Sequence, residues 1–141
     1  MRKFSLMLFL FLGLACNKDD DPDKNTSING YWVVRTPDSA TDVTFRIGQD
    51  ADEQYIIETA SVRHNGSDYN SKPIDAEITV LSPQEIETIT ILNNSPAIPF
   101  FVVRFLDISV NGEFTEMEIT NSTFNIDGVF REFSMIKATR D

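Results

Sequence analysis

Residues 100–120, FFVVRFLDISVNGEFTEMEIT, decide the fold class of this chain. On both sides of Asn111-Gly112, apolar and polar residues alternate, as they do in β-strands that bury only one face. Asn-Gly tolerates the positive φ angles of a type I′ turn, which joins antiparallel strands tightly. The stretch therefore predicts a β-hairpin. Its inner face should carry Leu106, Ile108, Val110, Met117 and Ile119, and its outer face Phe105, Asp107, Phe114 and Glu116.

Further stretches of β-branched residues lie between turn signals, at 31–35, 42–47, 54–63, 74–81, 84–92 and 129–138. The turn signals are Asn29-Gly30, Asn65-Gly66, Asp127-Gly128 and the Pro-containing segment 81–84. Gly and Pro at such points supply the backbone angles that turns need. No stretch shows the 3.6-residue apolar period of a helix. The chain is therefore predicted to be all-β, with about eight strands.

The length of 141 residues leaves room for one folded domain. Short loops make consecutive strands neighbours, and a meander of eight strands exposes two edges unless it closes. We therefore expect a single antiparallel up-and-down β-barrel over residues 27–141. A barrel of eight strands is filled by side chains or holds one small ligand. A β-sandwich is the alternative.

Residues 1–15 have the composition of a secretory signal peptide. Arg2 and Lys3 give a positive start, and residues 4–15, FSLMLFLFLGLA, carry no charge. A membrane-spanning helix needs about twenty apolar residues, and here an acidic segment follows directly after Cys16. We expect residues 1–15 to be removed on export, which changes the net charge from −10 to −12.

The residues before Cys16 resemble a bacterial lipobox, in the order Leu12-Gly13-Leu14-Ala15-Cys16. The usual pattern has Leu where this chain has Gly13. The resemblance implies that Cys16 becomes the first mature residue and carries lipid, and several acyl chains together anchor a protein stably in a membrane. Residues 16–26 would then be a lipidated cysteine and an acidic tether, since residues 17–24 include no apolar side chain.

The start of this tether resembles a Lys-acidic-acidic export signal that some Gram-negative bacteria use for lipoproteins, here Lys18, Asp19 and Asp20. The resemblance implies a lipid-anchored protein of the outer membrane that is exposed at the cell surface. Attachment at the periplasmic face is the alternative.

Ile28-Asn29-Gly30-Tyr31-Trp32 resembles the opening motif of lipocalin-like domains. That resemblance implies that Trp32 plugs the closed end of the barrel, and that Gly30 lets the chain pass close beside it. A late arginine often stacks on this tryptophan, and Arg131 and Arg140 are the two candidates.

Several classes of function are disfavoured. A net charge of −10 repels the phosphates of nucleic acid. No Gly-x-Ser-x-Gly motif occurs, and the one histidine, His64, precedes a predicted turn. The carboxylate pairs Glu85/Glu87 and Glu116/Glu118 fall on the solvent face. We expect no enzyme activity, no cofactor and no metal.

Non-catalytic binding is the expected function, with a small apolar or amphipathic ligand inside the barrel of a monomeric domain. The side chains expected to line that site are Val43, Phe45, Ile78, Leu106, Ile108 and Met117. The alternative is a protein- or glycan-interaction module with a packed interior, in which exposed Phe105 and Phe114 contribute to the surface.

Overall fold

A single curled β-sheet runs through the computed structural model of this protein, which describes residues 26–69, 74–93 and 100–141. Its nine strands are β1 Gly30–Arg35, β2 Thr41–Gln49, β3 Tyr55–His64, β4 Ser67–Asp68, β5 Ile74–Ser82, β6 Glu85–Asn93, β7 Phe101–Val110, β8 Glu116–Ile126 and β9 Val129–Arg140. Nowhere in these ranges is there a helix that could span a membrane.

The strand order is β4-β3-β2-β1-β9-β8-β7-β6-β5, and every pairing is antiparallel. Apart from the two-residue β4, these are eight long strands of alternating direction, joined in a meander in which β1 also pairs with β9. The prediction of an all-β antiparallel fold is confirmed. The described strands belong to one barrel-like sheet, where a sandwich would have two separate sheets.

The two edges of the sheet come together without pairing. The Cα atoms of β3 and β5 approach within 8 Å, yet no backbone ladder joins these strands in the described part of the chain. This junction of β3 and β5 is called the seam below.

A line of irregular residues crosses β6, β7, β8 and β9. On this line each strand turns two consecutive residues away from the interior, at 87–88, 106–107, 120–121 and 134–135. The pairing between neighbouring strands skips a position there, and Asp107 and Met135 have φ angles of 53° and 54°. Such irregularities bend strands and increase their twist. This bend line therefore helps the sheet to curl.

The inner face of the sheet is apolar and contains a row of aromatic rings. Phe45 of β2 lies 6.2 Å from Phe105 of β7, and Phe105 lies 5.9 Å from Phe124 of β8, measured between ring centroids. Phe124 in turn lies 5.6 Å from Phe133 of β9. The interior between these strands is thus filled by aromatic side chains, which have large apolar area to bury.

Two of the predicted tight turns are confirmed. His64 pairs with Ser67 across Asn65-Gly66, whose φ angles are 48° and 81°. Asp127-Gly128 closes the β8–β9 hairpin in the same way, with φ angles of 53° and 80°. Positive φ at both central residues is the signature of a type I′ turn.

The predicted turn at Asn111-Gly112 is wrong. Val110 pairs with Met117, and the five residues 111–115 lie between the end of β7 and the start of β8. The Asn111 side chain is the physical reason, because its Oδ1 accepts hydrogen bonds from the backbone N–H groups of Thr115 and Glu116, at 2.9 and 3.2 Å. The asparagine therefore stabilises a wider turn than the dipeptide predicts.

The predicted faces of β7 also need correction. Ile108, Met117 and their neighbours Val110 and Ile119 are buried as expected. Leu106, however, points away from the interior, and Phe105 is completely buried instead of exposed. The bend line is the reason, because an additional outward residue at Asp107 reverses the inward and outward positions on either side of it.

Candidate functional site

One end of the sheet, called the Trp32 end, is formed by residues 27–32, 111–115 and 140–141. Trp32 is completely buried there, and its indole Nε1 donates a hydrogen bond to the carbonyl of Ile28 at 2.8 Å. The guanidinium carbon of Arg140 lies 4.8 Å from the centre of the Trp32 ring. Arg140, and not Arg131, is therefore the arginine that stacks on this tryptophan.

Arg140 also connects three parts of the chain. Its Nη1 and Nη2 atoms donate to the carbonyls of Asn29 and Ser27 at 2.7 and 2.5 Å, and its Nε donates to Phe114 at 2.8 Å. None of the ion pairs within the described ranges involves Arg140. Burial without a carboxylate lowers the pKa of this guanidinium from its ordinary value. Carbonyl oxygens thus compensate the partly buried charge.

Gly30 leaves the space that this arginine occupies. Its φ angle is 138°, and a Cβ atom built there would lie 2.6 Å from Nη1 of Arg140. Both the backbone conformation and the close approach disfavour any other residue. Gly30 thus makes room for the Arg140 side chain beside Trp32.

The opposite end of the sheet, called the Tyr69 end, is formed by residues 36–41, 64–69, 100–101 and 126–131. The hydroxyl of Tyr69 donates to Oδ2 of Asp127 at 2.7 Å, and the ring packs edge-on against Phe101 at 6.2 Å. The hydrogen bond to Asp127, and then burial, raise the pKa of Tyr69 from its ordinary value. Tyr69 therefore links the segment after β4 to the β8–β9 turn.

A polar network at the Tyr69 end contains the chain's one histidine. His64 Nδ1 lies 2.7 Å from Oγ1 of Thr41, and Arg131 lies near the same hydroxyl while forming an ion pair with Asp38. Thr41 is completely buried. The Thr–His pair therefore joins the start of β2 to the end of β3.

The seam contains a cavity of about 310 Å³, lined by Tyr55, Ile56, Ile57, Ala76, Glu77, Ile78 and Thr79. Four of its apolar side chains point inward, are half-buried and pack on the core, namely Tyr55, Ile57, Ala76 and Ile78. Ile56 and Glu77 are exposed at its mouth. Half-buried apolar side chains thus lie beneath a cavity between β3 and β5 that is open to solvent and mainly polar at its surface.

The structure does not gather the six predicted ligand-lining residues around one cavity. Val43, Phe45 and Met117 are completely buried, and Ile108 is nearly so. Leu106 faces outward, and Ile78 lines the seam. The residues that sequence reasoning missed are Tyr55, Ile57 and Ala76. Each stands at an inward position of a predicted strand, but nothing local identifies those strands as the edges of the sheet.

The paired carboxylates lie on the outer face, as the alternation of residues predicted. Glu85 and Glu87 are exposed, whereas Glu116 and Glu118 are half-exposed, and Glu116 accepts a hydrogen bond from Lys137 at 2.7 Å. Across the three described ranges, no three His, Cys, Asp or Glu side chains are close enough to hold a metal ion.

The predicted signal peptide, the lipidation site Cys16 and the export residues Lys18, Asp19 and Asp20 lie outside the described residues. Comparison with other proteins adds no further assignment. No protein-family model matches the chain, and neither a curated protein sequence nor a solved structure is significantly similar to it.

Proposed function

We propose that this chain is a lipid-anchored cell-envelope lipoprotein with a non-catalytic, lipocalin-like domain that binds a small apolar or amphipathic ligand. The observation that carries the proposal is the curled sheet with an apolar inner face, whose seam leaves a cavity of about 310 Å³ beside half-buried apolar side chains. Pockets for small ligands measure about 300–1,000 Å³, so this open cavity lies at the lower end of their size range.

The Trp32 end supports the lipocalin-like part of the proposal. The resemblance of residues 28–32 to a lipocalin opening motif predicted a late arginine against Trp32. Arg140 occupies that place, beside a glycine whose positive φ and close contact with the arginine disfavour a larger residue. The likeness is one of arrangement, and the choice of ligand is a separate matter.

The lipid anchor is supported by the sequence before the folded domain. Substitution Cys16→Ala is expected to release the chain from the membrane, because no acyl group could then be attached. The measurement is membrane fractionation, with Ser27→Ala as a control substitution that keeps the lipobox. A Cys16→Ala chain that stays in the membrane fraction contradicts the anchor.

Surface exposure has its own test. Replacing Lys18, Asp19 and Asp20 together by alanine is expected to leave the lipid anchor intact and to abolish cleavage by protease added to whole cells. Unchanged cleavage by the external protease contradicts the role of these residues in export.

Native mass spectrometry of the chain purified from bacterial cells tests ligand binding. We expect an added mass of a few hundred daltons that is lost on denaturation. A mass equal to the protein alone, together with no uptake of the apolar probe N-phenyl-1-naphthylamine, contradicts the binding function.

A protein- or glycan-interaction module is the second candidate, and two observations favour it. The aromatic row from Phe45 to Phe133 fills much of the interior. Phe100, Val129 and Phe130 are exposed to 45%, 59% and 60% at the Tyr69 end, where they form an apolar tip. Phe105, which was expected to contribute to such a surface, is buried. A protein without ligand in the mass spectrum would favour this candidate.

A further inference from the structure

We propose that the ligand enters the sheet laterally, through the seam, and binds there with a neutral or cationic polar group toward solvent. This inference rests on the proposed binding function and adds the route and the ligand chemistry. It follows from comparing the seam with the two ends of the sheet.

Both ends are held by hydrogen bonds between distant parts of the chain. At the Trp32 end, Arg140 donates to three carbonyl groups and Trp32 to a fourth. At the Tyr69 end, Tyr69 is bonded to Asp127, and Arg131 is paired with Asp38. A ligand that entered at either end would have to break charge-assisted bonds, which are among the stronger hydrogen bonds in proteins.

At the seam, no backbone ladder connects β3 with β5 in the described ranges. Each of these strands pairs with a neighbour on its other side, and both pairings are irregular near the cavity. The β2–β3 register shifts between Arg46 and Ile47, and the β5–β6 register shifts between Thr79 and Val80. Separation of β3 from β5 therefore breaks no ladder and bends strands at existing irregularities.

The dimensions of the seam favour a small molecule over an additional β-strand. A strand inserted between two others needs two strand spacings, about 9.5 Å in all. The Cα atoms of β3 and β5 come within 8 Å of each other. A third strand does not fit at those points, whereas a cavity of about 310 Å³ has room for a small apolar group.

The charge at the mouth selects among small molecules. Glu77 is the one charged side chain among the described residues that line the cavity, and it is exposed. Its carboxylate repels an anionic head group and attracts a cationic one, as does the net charge of the chain, −10. We therefore expect neutral and cationic amphiphiles to bind in preference to fatty acids.

A pair of fluorescent probes tests the inference on the mature chain, residues 16–141. N-phenyl-1-naphthylamine is neutral, and 1-anilinonaphthalene-8-sulfonate is the same molecule with a sulfonate. The neutral probe should bind at least tenfold more tightly. The substitution Ala76→Phe fills the cavity and should weaken the binding of the neutral probe at least tenfold. Circular dichroism and the urea midpoint check that this variant is folded.

Glu77→Lys tests the same site without filling it, because its side chain lies at the surface. This variant should raise the affinity for the anionic probe about tenfold, whereas Glu132→Lys, an equal charge change at an exposed position of β9, should not.

The route is tested by Tyr69→Phe, which loosens the Tyr69 end. Its association rate for the neutral probe, measured by stopped flow, should equal that of the wild type.

The possible failures are distinguishable. If the wild type binds the neutral probe but neither Ala76→Phe nor Glu77→Lys changes the affinities, the seam is not the site. If Tyr69→Phe accelerates association severalfold, the ligand enters at the Tyr69 end. If the wild type binds neither probe, the proposed binding function itself is contradicted.

Discussion

Arg140 carries a half-buried positive charge, and among the described residues its side chain donates hydrogen bonds to carbonyl oxygens. Its planar guanidinium reaches Ser27, Asn29 and Phe114 at once while it covers Trp32. A lysine would offer a single ammonium group, which cannot match three acceptors in different directions. The position is thus specific for arginine because of geometry as well as charge.

Gly30→Ala should destabilise the protein through this arginine. The new Cβ atom would lie 2.6 Å from Nη1 of Arg140, in addition to the unfavourable φ of 138°. Gly66→Ala is a matched control, since Gly66 has a φ of 81° but no atom within 4 Å of a built Cβ. The control should lose about 1–2 kcal/mol of unfolding free energy from backbone strain alone.

Urea denaturation compares the two variants. We expect Gly30→Ala to lose at least about 1 kcal/mol more than Gly66→Ala, since a φ of 138° suits alanine less well than one of 81° and the new Cβ atom also meets Arg140. Equal losses would show that Arg140 moves aside freely, and that its contacts contribute little to stability.

Tyr69 makes stability depend on pH in the alkaline range. The hydrogen bond to Asp127 raises the pKa of Tyr69, so the stabilisation is fully present below the ordinary tyrosine pKa of about 10. It is lost as the pH rises through the raised pKa of the folded protein. Tyr69→Phe should lower the free energy of unfolding by about 1–1.5 kcal/mol at pH 7. The loss stays within this range because Asp127 is exposed, so water can take the place of the tyrosine hydroxyl.

Urea unfolding between pH 7 and pH 11 tests this dependence. The difference between wild type and Tyr69→Phe should narrow above pH 10, while the control Tyr31→Phe, at an exposed tyrosine, should show no such trend. A difference that stays constant with pH contradicts the role of the hydrogen bond.

At the scale of the strands, the bend line limits what alternation can predict. The strand positions were predicted closely because β-branched residues and turn signals are local. The alternation of β7, read backward from the turn, placed Phe105 outside because it assumed a regular strand. Leu106 and Asp107 both point outward, so the two-residue alternation is interrupted there. The interruption cannot be recognised in the sequence, because Leu106 is apolar and is therefore predicted to point inward.

The candidate site was predicted only in part, for a related reason. Gly30 and Trp32 form a local motif, so the sequence displays them. Whether Arg131 or Arg140 stacks on Trp32 depends on the register of β9 against β1, in which Trp32 lies opposite Arg140. The seam is formed by β3 and β5, which are not paired with each other in the described ranges. No local sequence pattern predicts which two strands of a meander will stay unpaired.

Asp107→Val tests the bend line. The φ of Asp107 is 53°, in the left-handed region that a β-branched side chain strongly disfavours. We expect a loss of about 1–2 kcal/mol in unfolding free energy, and little or no loss for Asp107→Gly.

Ser109→Val is the control for this substitution. Ser109 is also exposed on β7, but it is not among the positive-φ residues. Valine there should be neutral or slightly stabilising, because β-branched side chains suit regular strands. Similar losses at both positions would contradict a special backbone conformation at Asp107.

At the scale of the whole molecule, the two ends of the described chain lie side by side. The N–H of Asp141 donates to the carbonyl of Tyr31 at 3.1 Å, and Arg140 binds the carbonyl of Ser27. Residue 141 could therefore be joined to residue 26 by a short Gly-Ser linker. A new opening between Asn65 and Gly66 would fall in an exposed turn.

This circular permutant should fold, because the new connection spans a short distance and every long strand is kept. Circular dichroism and cooperative urea unfolding are the measurements. A permutant opened between Val103 and Arg104, inside β7, should not fold. Loss of structure in both permutants would contradict the adjacency of the two ends.

The hydrogen bonds of Arg140 at the Trp32 end also affect how the domain responds to force. A pull on the N-terminal side passes from Ser27 and Asn29 through Arg140 into β9, while β1 is held between β2 and β9. The load acts as shear along two ladders at once. A pull on β5, at the edge of the sheet, would peel a single ladder one bond at a time. We therefore expect the domain to resist a pull on its N-terminal side better than a pull on β5, which one ladder holds.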